Sequence, residues 1–274
     1  MSVDFTIVIP TFRRPKELRD AISSVLAQTG ATFELFVVDD CPDGSARSAV
    51  EAFADPRISY ERNPHPTGGV PSVVRNLAWP RAKGTFIHFL DDDDMVPEGH
   101  YAAVKEAFAA HPEAGMVFGR IEPFGACPPK QLAHEKRFFA RAARNAGSAA
   151  VWGSKWAFVS RMLFGWPLLV CSAGVIRRDC VERIGGFDPT IHLLEDTDFY
   201  VRVMREAGAV FVDRVTLKYR IGYPSLLHAP SLSPETLALL GQGRRLLLDK
   251  YKRERGALEY FFLSLFARTL LKVV

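Results

Sequence analysis

Four consecutive carboxylates, Asp91-Asp92-Asp93-Asp94, directly follow the apolar run TFIHFL (85–90). Adjacent carboxylates repel one another, so keeping all four ionised favours a bound cation. In an extended backbone Asp91 and Asp93 point to one side and Asp92 and Asp94 to the other. One pair can then face a ligand while the other holds the loop. All-oxygen ligation suits Mg2+ or Mn2+, ions that keep open positions for substrate phosphates. The plainer alternative is a solvated acidic turn, which a position at the end of a buried strand disfavours.

Two further acidic groups could work with this run. Asp39 and Asp40 close the run FELFVV (33–38) and precede CPDGS. A carboxylate there can accept hydrogen bonds from a nucleobase N–H or a ribose hydroxyl. Pro42-Asp43-Gly44 is also a strong turn signal, so turn chemistry alone would explain the pair. Glu195, Asp196 and Asp198 in LLEDTDFYVRV stand at a helix start, where carboxylates cap free N–H groups. Read functionally, one of them is a general base that takes a proton from an acceptor hydroxyl. Among basic groups, Arg13 and Arg14 follow the first apolar run beside Thr11 and suit phosphate. Arg75-Asn76 reads equally as an ordinary exposed helix pair.

The elements that must position these groups are those of an α/β chain. Short apolar runs at 5–10, 33–38, 58–60, 85–90, 115–121 and 170–176 alternate with helical patterns at 15–28, 45–53, 69–79, 101–110 and 196–207. That alternation predicts βαβ units and a mixed, mainly parallel sheet flanked by helices. In open sheets of this kind ligands bind outside the carboxyl ends of the strands, so acidic residues at two such ends should share one crevice.

At 274 residues with 48% hydrophobic and 24% charged content, the chain can bury one large core. A net charge of +4 is too mild to argue for nucleic acid, and no nucleic-acid partner is expected. Cys41, Cys127, Cys171 and Cys180 contain no C-x-x-C pair, and a reducing, cytoplasmic setting is expected. The longest apolar stretch, 162–176, is broken by Gly165 and Pro167 and is short for a membrane span.

In this order, TIVIPTFRRP, VVDDCPDGS, Arg75-Asn76, FLDDDDMVP, GGFD and EDTDFYVR resemble the family-2 glycosyltransferases, over roughly residues 5–220. The resemblance implies the glycosyltransferase-A fold, an inverting mechanism, a nucleotide-diphospho-sugar donor (UDP by default) and a divalent metal. Carried over by position, Pro10, Thr11 and Arg13 would line the nucleotide pocket and Asp40 or Asp39 would read the base. Arg75 would lie near the phosphates. Asp91 and Asp93 match the family's D-x-D and would meet ribose and metal-diphosphate. Asp92 is counted with the donor-binding set, although alternation leaves Asp92 and Asp94 as loop supports. Asp196, with Glu195 beside it, matches the catalytic base. His228 in LLHAPSLS is the candidate for a histidine that closes on metal or phosphate.

The expected organisation is a glycosyltransferase-A domain over 1–228, with a donor half to about 122 and an acceptor half from about 123. A helical extension over 229–274 completes it. The acceptor side falls on the basic-aromatic stretch 127–166, suited to a saccharide, a lipid-linked sugar or another hydroxyl acceptor. The terminal helix, with Phe261, Phe262, Leu265 and Phe266 near helical spacing, reads as a membrane-surface anchor, a face docked on its own domain or a homodimer contact. The first of these would put the protein at the inner face of the membrane. The competing activities are a sugar nucleotidyltransferase, which should carry a Gly-rich loop where this chain has TFRRP, and a non-catalytic nucleotide-sugar-binding protein.

Overall fold

Strand β1 (Phe5–Thr11) is buried at every position, as a strand covered on both faces must be. The computed structural model describes residues 3–165, 167–222 and 233–269. After β1 come α1 (Pro15–Leu26), β2 (Phe33–Asp39), α2 (Arg47–Glu51), β3 (Ile58–Arg62), α3 (Pro71–Ala78) and β4 (Phe86–Phe89). The chain continues through α4 (His100–Ala110), β5 (Met116–Phe124), α5 (Pro129–Val151), α6 (Lys155–Phe164), β6 (Gly174–Arg177) and α7 (Arg178–Ile184). It ends with α8 (Glu195–Ala207), β7 (Ala209–Arg220), α9 (Pro234–Arg255) and α10 (Ala257–Thr269). Prolines open α1, α3, α5 and α9, where the first turn has no use for their missing N–H.

The strands form one seven-stranded sheet in the order β3-β2-β1-β4-β6-β5-β7. Pairs β1–β2, β2–β3, β1–β4 and β5–β7 are parallel, and β6 runs antiparallel to both neighbours. The expected mixed, mainly parallel sheet with flanking helices is therefore present. Because β1, β2 and β4 point the same way, the residues after their carboxyl ends meet on one edge. Strand β7 joins them there through a two-way backbone pairing of Lys218 with Met95, just past the acidic run.

Two devices fix the elements nearest that edge. Asn76 on α3 donates to the carbonyl of Phe187 at 2.8 Å and accepts from its N–H at 3.0 Å, clamping the GGFD segment. Gly186 makes this approach possible: its φ is +75°, and a Cβ there would stand 2.4 Å from Nε1 of Trp79. The second device reaches the C-terminal helices. Lys250 on α9 donates to Asp188 of GGFD at 2.7 Å and to Asp198 on α8 at 2.8 Å. Asp198 also accepts from Arg202 at 2.8 Å and is buried, so its work is structural. Leu247, Tyr251 and Leu263 of α9 and α10 belong to the same continuous core as the sheet.

Removing one member of a buried ion network strands its partners without counter-charge. Asp198→Ala is expected to lower stability by about 3 kcal/mol in urea unfolding. A loss below about 1 kcal/mol would show that Lys250 and Arg202 do not depend on it.

Candidate active site

The strand ends open onto a cleft of about 450 Å³ that the sequence-predicted residues share. Pro10, Thr11, Asp40, Arg75, Asp91, Asp92, Asp93, Glu195 and Asp196 all line it. Asp39 and Arg13 do not. The Asp39 carboxylate accepts from the N–H groups of Cys41 and Ala46 and from the hydroxyl of Tyr60. It thereby ties down the CPDGS turn and the β3 edge. Arg13 has φ +58° and is exposed, its guanidinium 4.9 Å from the centre of the Phe12 ring. His228 lies outside the described residues.

The acidic run is a turn rather than extended backbone, with Asp94 N–H donating to the Asp91 carbonyl at 3.2 Å. It nevertheless divides as alternation predicts. Asp92 and Asp94 are buried, whereas the side chains of Asp91 and Asp93 are 31% and 20% exposed toward the cleft. Asp92 accepts from Oγ1 of Thr11 at 2.7 Å and from the N–H of Phe12 at 3.3 Å, fastening the turn to the end of β1. Asp94 accepts the backbone N–H of Arg220 at 3.0 Å, fastening it to β7. Burial pushes Asp92 up to about 7, with a hydrogen bond from Thr11 opposing and the charge of Asp93 assisting. Burial, and then the charge of Asp91, also raise Asp93 against the pull of Arg14. Asp94 is driven well above the usual carboxylate range by burial and by Asp93. The cluster is short of positive charge.

Three arginines supply part of it. Arg75 is buried yet charged, donating to Asp91 at 2.6 Å and to Glu195 at 3.2 Å. Burial works against that charge, but the surrounding carboxylates outweigh it. Arg14 donates to Asp93 at 2.5 Å and to Asp92 at 3.3 Å. Arg220 donates through Nε to the Asp93 carbonyl at 2.7 Å. Arg14 and Arg220 both line the cleft; the residue types suit Arg14 to phosphate alongside Arg13, the family motif takes Arg13 alone, and no sequence signal singles out Arg220. One signal was available for Arg14: with Pro15 at the first helical position, Arg14 is the N-cap of α1 and faces back over the strand end. Arg220 is brought in only by the β7 pairing, which is a long-range event.

Asp40 organises the other wall. It accepts from Asn63 Nδ2 and Thr67 N–H through one oxygen, and from Thr67 Oγ1 and Gly69 N–H through the other. Burial raises this carboxyl, but those bonds prevail and hold it below its ordinary value. Asp196 stands opposite, in the first turn of α8. Leu194, the residue before that helix, has φ +65°, a left-handed conformation unusual for a leucine. It aims the helix N-terminus and the Glu195-Asp196 pair at the cleft. Burial pushes Asp196 up to about 7, helped by the charge of Glu195 and opposed by Arg75.

Among the described residues no three His, Cys, Asp or Glu side chains converge on one ion position. Asp91 and Asp93 nevertheless offer carboxylate oxygens on the open side of an electron-rich turn. This is the partial, all-oxygen donor set that Mg2+ or Mn2+ accepts when a ligand's phosphates and water supply the rest. The residues present fit such an ion.

The model of the family described as "Glycosyl transferase family 2" matches residues 6–164. The Escherichia coli UDP-Glc:alpha-D-GlcNAc-diphosphoundecaprenol beta-1,3-glucosyltransferase WfgD is 39% identical over 90 residues, 33% of this chain and 35% of that protein. The chain spans less than two thirds of the length of the curated relatives it matches. Among solved structures, S. aureus TarS 1-349 in complex with UDP-GlcNAc superposes with a TM-score of 0.66 at 16% identity, covering 91% of this chain and 67% of that one. The mannosyltransferase PcManGT from Pyrobaculum calidifontis, in complex with GDP-Man and Mn2+, gives 0.58 at 15% identity over 99% and 81%. At these identities the likeness establishes the fold, which is of the glycosyltransferase-A type.

Arg14 is part-exposed and lines the cleft, so its bonds can pass from the turn to an anionic ligand that enters there. Arg14→Gln is expected to weaken UDP binding, measured calorimetrically, about tenfold or more, the scale of a lost charged hydrogen bond. The melting temperature should barely move, because part-exposed ion pairs add little stability. An unchanged UDP affinity would remove Arg14 from the site.

Proposed function

The chain belongs to glycosyl transferase family 2, and from that premise we propose that it moves the sugar of a UDP-sugar to an acceptor hydroxyl with inversion at the anomeric carbon. The observation that carries this reading is Arg75, one buried cation bonded on one side to Asp91 and on the other to Glu195 beside Asp196. Donor-side and acceptor-side carboxylates are thereby held in one cleft. The names of two similar proteins support a UDP-sugar: TarS was solved with UDP-GlcNAc, and the Escherichia coli relative is named for UDP-Glc. The second name also includes a diphosphoundecaprenol-linked acceptor, and a saccharide or lipid-linked hydroxyl is the acceptor we assign here, in a cytoplasmic setting.

The reaction then divides among named groups. Pro10, Thr11 and the loop gathered by Asp40 receive the nucleoside, while Arg14 and Arg220 face its diphosphate. Asp91 and Asp93 would hold Mn2+ or Mg2+, as the Mn2+ in the PcManGT complex supports. When bound, the cation offsets charge developing on the departing diphosphate. Asp196 takes the proton of the acceptor hydroxyl as its oxygen bonds to the anomeric carbon and the bond from that carbon to the diphosphate breaks. A single displacement with one base inverts the centre. With Asp196 near 7, the base is poised close to the pH at which proton transfer is most efficient.

The expected signature is metal-supported turnover of a UDP-sugar whose kcat falls as pH drops through about 7, the value to which Asp196 is raised. Asp196 works only when deprotonated, so the rate should fall about tenfold per pH unit below that point and level off above it. Asp196→Asn should lower kcat by about a hundredfold to ten-thousandfold, while UDP affinity stays near that of the wild type. Asp93→Ala should instead abolish the enhancement of UDP binding by Mn2+. Full activity in Asp196→Asn, or Mn2+-enhanced UDP binding that survives Asp93→Ala, would overturn the respective assignment.

A further inference from the structure

Helix α10 turns the wrong face to water. Leu258, Phe261, Phe262 and Leu265 recur at intervals of three and four residues, hence along one strip, and are 70%, 58%, 58% and 44% exposed. The opposite side is the one that packs, through Leu263 in the core and Tyr260 against Phe164. Isolated exposed leucines are ordinary, but a strip of two phenylalanines and two leucines is an interaction surface.

What adjoins the strip identifies its partner. Trp152, the residue that caps the C-terminus of α5, stands edge-on to Phe266 of α10 at 5.5 Å between ring centres, and its neighbour Val151 is 78% exposed. Running back along α5 from that point, Arg144, Arg141, Arg137 and Lys130 recur at three-, four- and seven-residue spacing on the solvent side. The one acid in this helix, Glu135, is buried on its inner side. An apolar strip is thus continued by a cationic one, joined at an aromatic residue.

We propose that α5 and α10 together dock the protein on an anionic bilayer surface. In that arrangement Phe261, Phe262, Leu258 and Leu265 enter the boundary between headgroups and acyl chains. The α5 cations lie over lipid phosphates. Helices with large apolar and basic faces bind membranes in this way, by buried area plus attraction to anionic lipid. A second copy of the chain fits less well, because a symmetric contact across this face would bring two cationic strips together. Strand β7 and the start of α5 connect the surface to the cleft. Ile221 and Gly222 line the cleft, and a Cβ on Gly125 or Gly222 would collide with the carbonyls of Ile221 or Ala126.

Co-sedimentation of the full chain with vesicles tests this. Wild type should bind vesicles of equal parts phosphatidylglycerol and phosphatidylcholine, should bind pure phosphatidylcholine at least about tenfold more weakly, and should be released by salt. Phe261→Glu with Phe262→Glu, and separately Arg137→Glu with Arg144→Glu, should each cut binding to the mixed vesicles by about tenfold or more. None of the four residues lines the cleft, so UDP binding in solution should be unchanged and will report that the variants fold. Wild-type binding no tighter than that of either folded variant would overturn the proposal. So would sedimentation as a dimer that Phe261→Glu with Phe262→Glu converts to monomer, since that makes the strip a contact between copies.

Discussion

A buried guanidinium must be surrounded by anions or it will not be buried, and Arg75 is the point at which this chain meets that requirement. Its two carboxylate partners come from distant places in the sequence, Asp91 at the end of β4 and Glu195 at the start of α8. Its plane lies over Phe187, 5.1 Å from the ring centre. Phe187 is held by Asn76, the next residue of the same helix. One turn of α3 therefore sets the spacing between the end of β4, the GGFD segment and the start of α8. The cost of desolvating such a charge is large. An ion pair placed here adds little to stability compared with an apolar core, and its value lies in fixing where carboxylates stand.

The acidic turn is the complement of that arrangement. Four aspartates in succession cannot all face one ligand, and half of them are consumed as structure: Asp92 by Thr11 and Phe12, Asp94 by Arg220. What remains toward the cleft is a pair of carboxylates with their charge only partly balanced by Arg14 and Arg75. Burial first, and the neighbouring aspartates after it, raise Asp92, Asp93 and Asp94. A site in this condition has a standing affinity for cations, and it is relieved by a metal ion or, in its absence, by arginine.

Much of this is legible in the residues alone. Strand order and β7 apart, the alternation of apolar runs with helical patterns predicts the sheet, and two strands ending in aspartate pairs predict the cleft. The division of the acidic run also holds, although through a turn and not through the extended backbone on which the reasoning relied. The separation of Asp39 from Asp40 is less visible. Both close the same strand, and only the fold shows that Asp39 turns back onto Cys41, Ala46 and Tyr60 while Asp40 gathers the loop at 63–69. The exchange of Arg13 for Arg14 has the same origin, because a left-handed residue at 13 rotates neighbouring side chains to opposite sides. Arg220 and the latch from Lys250 to Asp188 and Asp198 depend on chain segments that meet only in the folded state, and no local pattern announces them.

The claim at the centre of this account is that Asp91 and Glu195 act through one shared cation. A double-mutant cycle on kcat/KM for a UDP-sugar, combining Asp91→Asn with Glu195→Gln, measures that sharing directly. The account predicts a coupling of about 1 kcal/mol or more, as found for residues in one ion-pair network. Additive effects, within about 0.3 kcal/mol, would mean that the two carboxylates work independently and that Arg75 does not join them.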